Sequence, residues 1–300
     1  MNAYLAPAGA SAITPTCALQ GAVAIAAFAS NALLCRVALF TYSIDAATFS
    51  DIRLLAGGAT LLVVTKLKPE YTRQPNPDPD WISATALGIF VILFSLSYLS
   101  LGVSFGALVL FGTVQLTIFI ACLLKGERFH RVALMGYLLA IAGLLYLTTP
   151  GIGVPRFSGL LMMVGAGVAW GIYTLRGRRA ASPLSATAGN FLRATPICIV
   201  LGWMLHGHAH ASVAGVALAV ASGAVTSAVG FVVWASVIRK LPAMSAATIQ
   251  LLVPPVAALG GVLFLQEPVS TRLVVSFVAV LFGVWLAASV GARHSVTARR

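Results

Sequence analysis

Residues 245–287 read SAATIQLLVPPVAALGGVLFLQEPVSTRLVVSFVAVLFGVWLA, two long apolar runs separated by a short polar segment at Gln266 and Glu267. A transmembrane helix needs about 20 consecutive apolar residues to cross a hydrocarbon core about 30 Å thick, and each run approaches that length. Transmembrane β-strands instead alternate polar and apolar residues over about ten positions. The stretch therefore predicts two membrane-spanning α-helices.

The rest of the 300-residue chain has the same character. Hydrophobic residues make up 59% of it and charged residues only 9%, and its mean hydropathy is +0.97. Soluble domains carry about 25% charged residues, which keep their surfaces dispersed in water, so we expect an all-α integral membrane protein. Apolar windows bounded by charged residues, Pro or Gly predict ten transmembrane helices, at 17–39, 45–65, 82–101, 104–124, 132–149, 158–176, 184–205, 213–238, 243–265 and 271–290.

The distribution of cations predicts the orientation of these helices. A net charge of +12 would suggest a nucleic-acid partner in a soluble protein, but in a membrane protein Lys and Arg accumulate in cytoplasmic loops. With both termini inside, 14 of the 19 Lys and Arg residues fall in inner loops or tails, and only Arg156 and Arg272 fall in outer loops. The first fifteen residues lack the basic segment of a secretory signal, so we expect the first helix to be retained. We therefore expect both termini in the cytoplasm.

A single shift of 140 residues relates the two halves of the chain. It superimposes residues of the same type, three charged pairs among them: Arg36/Arg176, Arg53/Arg193, Glu127/Glu267 and Gly143/Gly283. Such coincidences are hard to obtain by chance in so apolar a chain, so we predict two five-helix repeats, in 1–150 and 151–300. Because five is odd, the second repeat would enter the membrane upside down. Inverted repeats are typical of secondary transporters, whose substrate site lies near the midplane between the halves.

The sequence of these repeats resembles a known family. Residues 245–287 resemble the ninth and tenth helices of the drug/metabolite transporter superfamily, EamA type, with a Pro in mid-helix and a Glu before the last helix. The first half repeats the pattern in residues 105–147, FGALVLFGTVQLTIFIACLLKGERFHRVALMGYLLAIAGLLYL. Residues 169–176, with Ala-Trp-Gly, Tyr173 and Arg176, are similar to the family's sixth helix, and Arg53 and Arg193 are similar to the Arg near the start of helices two and seven.

This resemblance implies a secondary transporter that works by alternating access, with a central cavity lined by helices one, three, four, six, eight and nine. Within the superfamily, the chain looks most like the YddG-type exporters of aromatic and other amino acids. It departs from the family pattern at residues 28–31, Phe-Ala-Ser-Asn, where Trp-Gly usually precedes Ser-Asn. It departs again at Val114 and Gln115, where a Pro is common, which weakens the case for a gate in helix four.

The candidate substrate site consists of polar or amphipathic residues near the middle of their predicted helices. Each alone is best explained as a packing contact, but together such groups could line a cavity, since buried amides and hydroxyls need partners and a zwitterion needs donors and acceptors. The candidates are Ser30, Asn31, Tyr98, Gln115, Trp170, Tyr173, Trp234, Thr248 and Gln250.

Pro254 and Pro255 are the candidate gate or hinge. They remove two backbone donors in the middle of predicted helix nine, which would free the carbonyls around Gln250 and Leu251. Free carbonyls at membrane depth are tolerated only beside a polar cavity or other protein. We therefore favour a substrate-lining or hinge role over a kink that serves packing alone.

Charged residues within or beside the helices are predicted to be structural. An unpaired Arg at mid-membrane costs roughly 2.5–3.5 kcal/mol on insertion scales, so Arg53 and Arg193 need partners. Either they bind a substrate carboxylate or they brace their repeats, and bracing is favoured because inversion would place them at different depths. Glu127 and Glu267 lie at helix ends, where anchoring is favoured over proton transfer.

Other classes of site find little support. His206, His208 and His210 alternate in a predicted outer loop without a carboxylate or Cys beside them, and the four cysteines lie in apolar runs, so we expect no metal site and no cofactor. The sequence contains no HExxH or Walker A motif.

We therefore expect a multi-pass secondary transporter of the bacterial inner membrane, not an enzyme, that exports small metabolites. Amino acids, either aromatic or of broad range, are favoured over drugs, nucleotide sugars or other metabolites, and an intramembrane enzyme or sensor is the least favoured alternative. The expected partners are a small-molecule substrate and the lipid bilayer, with no nucleic acid, and the protein is expected to be a monomer or weak oligomer.

Overall fold

The computed structural model describes residues 14–67, 80–124, 126, 131–148, 156–178, 180–206, 209–241, 246 and 249–297. Apart from one isolated antiparallel bridge between Ile44 and Ala211, the regular structure of these residues is helical. The helices are α1 (Pro15–Thr41), α2 (Ala46–Leu67), α3 (Trp81–Ser97), α4 (Val103–Leu124), α5 (Arg131–Thr148), α6 (Phe157–Gly177), α7 (Pro183–His206), α8 (Val213–Ile238), α9 (Val253–Leu265) and α10 (Thr271–Thr297). The predicted all-α fold is confirmed for the described residues.

Six of the described helices, α1, α2, α4, α6, α7 and α8, are long and apolar enough to cross a membrane. Three further apolar stretches are shorter: α3, α9 and the Thr271–Gly283 part of α10. Many large apolar side chains point outward, Leu55, Trp203 and Phe264 among them, as contact with lipid requires. Ten complete spans therefore remain a prediction.

The predicted ninth helix is broken rather than kinked. Ile249 and Gln250 are helical, Leu251 and Leu252 form a turn, and α9 begins at Val253. Pro254 and Pro255 thus lie in the first turn of a new helix and not in mid-helix as predicted, because the first turn is where the missing N–H groups of Pro cost least.

Helix α8 contains an irregularity that the sequence analysis did not predict. Its central residues, Ser222–Val229, form a π-helix between two α-helical segments, Val213–Ala221 and Gly230–Ile238. At Gly223 the π-helix meets α2 so closely that a methyl group would overlap the backbone carbonyl of Arg53. Segments of π-helix are rare and often occur at functional sites.

The two halves of the chain pack extensively against each other. Helix α3 of the first half packs on α6 and α7 of the second. In the same way, α8 of the second half packs on α1 and α2 of the first. The contact of α4 with α6 likewise corresponds to that of α9 with α1. Helices α5 and α10 pack together through Gly143 and Gly283, where a side chain on either Gly would meet the opposite helix. Each contact thus has a counterpart when the halves are exchanged. This pattern supports a duplication.

Candidate functional site

A small enclosed cavity lies between the two halves. Its volume is about 20 Å³, room for about one water molecule. Residues from α1, α3, α4, α6, α8 and α9, together with Tyr98 just after α3, form its wall: Phe28, Asn31, Ala32, Phe90, Phe94, Tyr98, Ala107, Leu110, Phe111, Trp170, Phe231 and Val253. These are the six helices that the family resemblance implies.

Aromatic rings fill the space around the cavity. The ring of Trp170 stacks on that of Tyr173 with centroids 5.3 Å apart, and lies 4.7 Å from Phe231 and 4.9 Å from Phe90. Phe28 meets Trp170 edge-on at 5.4 Å. Aromatic contacts of this kind stabilise beyond the area they bury, so the cluster holds the cavity closed in this conformation.

Three predicted site residues form one hydrogen-bonded group. With its amide oxygen facing the two indoles, Gln250 accepts hydrogen bonds from Nε1 of Trp170 at 3.0 Å and Nε1 of Trp234 at 3.2 Å. This orientation follows because an indole N–H can only donate. Gln250 thereby links the turn before α9 to α6 and α8, and it satisfies the polar atoms of both buried indoles.

Asn31 joins the cavity to the π-helical part of α8. Its side-chain oxygen accepts a hydrogen bond from the Ser222 hydroxyl at 2.5 Å, and the Thr226 hydroxyl lies 3.3 Å from the same atom. Asn31 was predicted as a site residue, but Ser222 and Thr226 were not. Small hydroxyl residues in an apolar helix are common packing residues, so nothing in the sequence distinguished these two.

The remaining candidate binding residues have different surroundings. The Tyr98 hydroxyl and both amide atoms of Gln115 are buried without a hydrogen-bond partner among the described residues. Tyr173 is buried beside Trp170 but does not line the cavity. Ser30 is exposed on α1, and Thr248 and Glu127 lie outside the described residues.

Glu267 binds the start of α4. Its carboxylate accepts hydrogen bonds from the backbone N–H groups of Val103 at 2.5 Å and Ser104 at 3.0 Å, and from the Ser104 hydroxyl at 2.9 Å. A carboxylate at a helix N-terminus satisfies free N–H groups and complements the helix dipole. This contact joins the second half of the chain to the first.

Arg36 and Arg176, related by the 140-residue shift, bind opposite ends of α3. Arg36 donates to the backbone carbonyl of Tyr98, which follows the last turn of α3, and its guanidinium lies 3.4 Å from the centre of the Phe40 ring. Arg176 forms a bidentate ion pair with Asp80, which caps the N-terminus of α3. Nη2 of Arg176 lies 2.8 Å from Oδ1 of Asp80. Asp80 was not predicted as a site residue, because Asp80 lies in a polar loop of the sequence.

Burial alone would raise the pKa of the Asp80 carboxyl. The hydrogen bonds from Arg176 and from the side chain and backbone N–H of Ser83 outweigh burial and lower the pKa below its usual value. The ion pair with Arg176 is therefore charged at neutral pH.

Arg53 and Arg193, which are also related by the 140-residue shift, lie in unlike surroundings. Arg53 is fully buried, and its Nε donates to the Ser227 hydroxyl at 2.8 Å. Its guanidinium carbon lies 5.2 Å from the centre of the Phe94 ring and 5.7 Å from that of Phe90. Arg193 is half-buried, and its guanidinium carbon lies 5.9 Å from the Trp81 ring centre.

Among the described residues, no group of three or more His, Cys, Asp or Glu side chains could hold a metal ion. His208 and the side chain of His206 lie outside what the structure describes. The four cysteines, Cys17, Cys35, Cys122 and Cys198, are buried free thiols. The described part of the chain therefore offers no metal centre.

Comparison with known proteins identifies the family. Residues 157–289 match the sequence model of the EamA-like transporter family. An uncharacterized protein of Pseudomonas aeruginosa is 44% identical over 88% of this chain and 91% of its own length. The chain belongs to the EamA-like transporter family. As an EamA-like transporter it is a multi-pass membrane protein that moves a small molecule, and it is not an enzyme.

More distant relatives of this EamA-like transporter carry functional names. The threonine/homoserine exporter RhtA of Escherichia coli is 30% identical over 53% of this chain and 53% of its own length, so the match spans about half of that relative. A probable terminal-alkyne amino-acid exporter of Streptantibioticus cattleyicolor is 25% identical over 77% of this chain and 80% of its own length. A crystal structure covering 92% of this chain and 98% of its own superposes with a TM-score of 0.69 at 20% identity, a likeness of fold alone.

Proposed function

We propose that this EamA-like transporter exports amino acids across the bacterial inner membrane by alternating access. The observation that carries the proposal is the enclosed cavity between the halves, with mostly aromatic walls and two polar groups, on Asn31 and Tyr98. Such a wall suits a small zwitterion with an apolar side chain, because the rings accept the side chain while the amide and hydroxyl meet the polar end. Relatives named as amino-acid exporters support the same substrate class.

The two repeats, 1–150 and 151–300, are proposed to be inverted, with both termini in the cytoplasm and ten spans in all. On this topology the contact of Glu267 with α4 lies at the outer side and the Asp80–Arg176 pair lies at the inner side. Opening toward the cytoplasm would break the ion pair, and opening outward would release Glu267. The cavity of about 20 Å³ is too small for an amino acid, so we assign this conformation to a closed state.

The break before α9 is the proposed hinge. Pro254 and Pro255 begin α9 immediately after the turn at Leu251 and Leu252, so α9 is free to change its angle without breaking regular helical hydrogen bonds. Gln250, one residue before the turn, binds the two indoles. A change in the angle of α9 would therefore move Gln250 and, through its hydrogen bonds, the indoles of the aromatic cluster.

Within amino acids, the aromatic wall favours aromatic substrates, as in the YddG-type exporters. The remaining predicted binding residues, Gln115, Tyr173, Trp234 and Thr248, would complete the site in the open state. Drugs, nucleotide sugars and other metabolites are the alternative substrates, and a nucleotide sugar would also require several more polar contacts. We propose a monomer or weak oligomer as the working unit.

Counterflow in proteoliposomes tests the proposed function. Purified protein would be tested with labelled threonine, homoserine, phenylalanine and tryptophan beside ethidium and UDP-glucose. We expect exchange of one or more amino acids above empty liposomes, and a Trp170→Ala variant that remains folded should lose most of it. Exchange of only ethidium or UDP-glucose would contradict the proposal.

A further inference from the structure

Arg53 is a buried charged side chain that forms no ion pair with a carboxylate among the described residues. Its exposed fraction is 0%, and its single hydrogen bond among the described residues runs from Nε to Ser227. The donors on Nη1 and Nη2 are buried and have no partner in the described part of the chain. A guanidinium carries five N–H donors in a planar fork, so most of its hydrogen-bonding capacity is unused.

This arrangement is costly unless an anion completes it. Moving a cation out of water is costly even after relaxation, and contact with aromatic faces offsets only part of that cost. The unused donors form the edge of the fork that binds a carboxylate through two parallel hydrogen bonds. An arginine that served only as a brace would direct these donors to backbone carbonyls or side-chain oxygens.

The rings beside Arg53 connect it to the central cavity. Phe90 and Phe94 lie against its guanidinium, and both also line the cavity. The π-helix of α8 fixes both sides of this region, because Ser227 binds Arg53 while Ser222 binds Asn31 in the cavity wall. A movement of Phe94 would thus bring Nη1 and Nη2 into contact with a substrate in an enlarged cavity.

We propose that Arg53 receives the carboxylate of the transported substrate when the cavity opens, and that Phe94 separates it from the cavity in the closed state. This inference rests on the proposed export of amino acids. It assigns Arg53 to substrate binding and leaves the bracing role to Arg193, which lies half-buried against Trp81. Asn31 and Tyr98, on the cavity wall, would then meet the ammonium group.

The test compares amino acids with their amides, which keep the ammonium group but lack the carboxylate. Each amino acid and its amide would be tested as a competitor of threonine and phenylalanine counterflow. The melting temperature, Tm, of the detergent-solubilised protein would be measured in the presence of the same acids and amides. The variants are Arg53→Gln, Arg53→Lys and, as a matched control, the repeat-related Arg193→Gln.

We expect the native protein and Arg193→Gln to prefer each acid over its amide by at least about tenfold. Arg53→Gln should raise the KM for acids about tenfold or more and abolish this preference. Arg53→Lys, which keeps the charge without the fork, should fold and retain the preference with a KM raised several-fold. If Arg53→Gln does not fold, an unchanged KM in Arg53→Lys would overturn the inference.

Other outcomes separate this inference from the proposed function. A folded Arg53→Gln protein that still prefers acids, or a native protein that accepts amides equally, would overturn the role of Arg53 and leave amino-acid export standing. If the native protein transports no amino acid, Tm measurements with benzoate and benzamide decide whether Arg53 forms a carboxylate site. If benzoate but not benzamide raises the Tm, and Arg53→Gln abolishes this effect, the carboxylate site at Arg53 stands and the proposed amino-acid substrate is rejected. If benzoate does not raise the Tm, both the site and the substrate are rejected.

Discussion

The hydrogen bonds of Gln250 lead to a quantitative prediction for the variant Gln250→Leu. Leucine is apolar and of similar size, so the variant removes the acceptor without opening a large cavity. Gln250 is 1% exposed, and its partners Trp170 and Trp234 are 2% and 1% exposed, so water cannot replace the lost amide. Both indole N–H groups would be left buried without a partner.

The expected cost follows from the two lost bonds. An unsatisfied buried donor costs about 1–3 kcal/mol in soluble proteins, whereas hydrogen bonds inside membrane proteins average about 0.6 kcal/mol and reach about 1.7 kcal/mol. On the membrane scale, two bonds give a destabilisation of about 1–3 kcal/mol. A loss of this size should lower the Tm by several degrees.

Gln115→Leu is the matched control, because Gln115 is equally buried but neither of its amide atoms has a partner among the described residues. Removing an unsatisfied polar group should leave the Tm unchanged or raise it. Thermal unfolding of both purified variants in the same detergent measures the difference. Equal Tm values for the two variants would refute the hydrogen-bonded group around Gln250.

Three further predictions concern the Asp80–Arg176 ion pair, the π-helix and the topology. Because the folded-state pKa of Asp80 is lowered, its ion pair stabilises the protein above the unfolded pKa of about 3.9, and this stabilisation is lost as pH falls through the folded-state pKa. Asp80→Asn should therefore lower the Tm at pH 7, and its difference from the native protein should shrink as pH falls below about 3.9. Gly223→Ala should lower the Tm through overlap with α2, whereas Gly21→Ala, whose new methyl would lie 3.8 Å from its nearest neighbour, should not. A Cys at exposed Ser270 should react with an impermeant maleimide from the periplasm; labelling only from the cytoplasm would contradict the inverted topology.

Much of the fold could be predicted from the sequence because lipid imposes a simple rule. Every backbone polar group in the hydrocarbon core must be paired within its own helix, so a long apolar run in this chain has few alternatives to a helix. The predicted helices at 17–39 and 104–124 accordingly match α1 and α4 closely. The break before α9 was located through Pro254 and Pro255, although the prolines begin a helix there instead of kinking one.

The partners within the site could be predicted only in part. Asn31, Trp170 and Gln250 stood out as polar or amphipathic residues within apolar runs, but Ser222 and Ser227 did not. Their role depends on the π-helix, which changes the angular spacing of side chains along α8 and has no clear sequence signature. The pairing of Arg176 with Asp80 joins residues 96 positions apart, so it follows from helix packing and not from local pattern.

The sequence by itself determined that this protein is helical, lies in a membrane and carries a duplicated pattern, because hydropathy and residue spacing act locally along the chain. Only the tertiary structure decided what each polar group faces. Arg53 and Arg193 are related by the 140-residue shift, yet Arg53 is buried beside two phenylalanine rings and Arg193 lies half-buried against a tryptophan. The surroundings of a buried charge are set by side chains from other helices, and a one-dimensional pattern contains no distances between them.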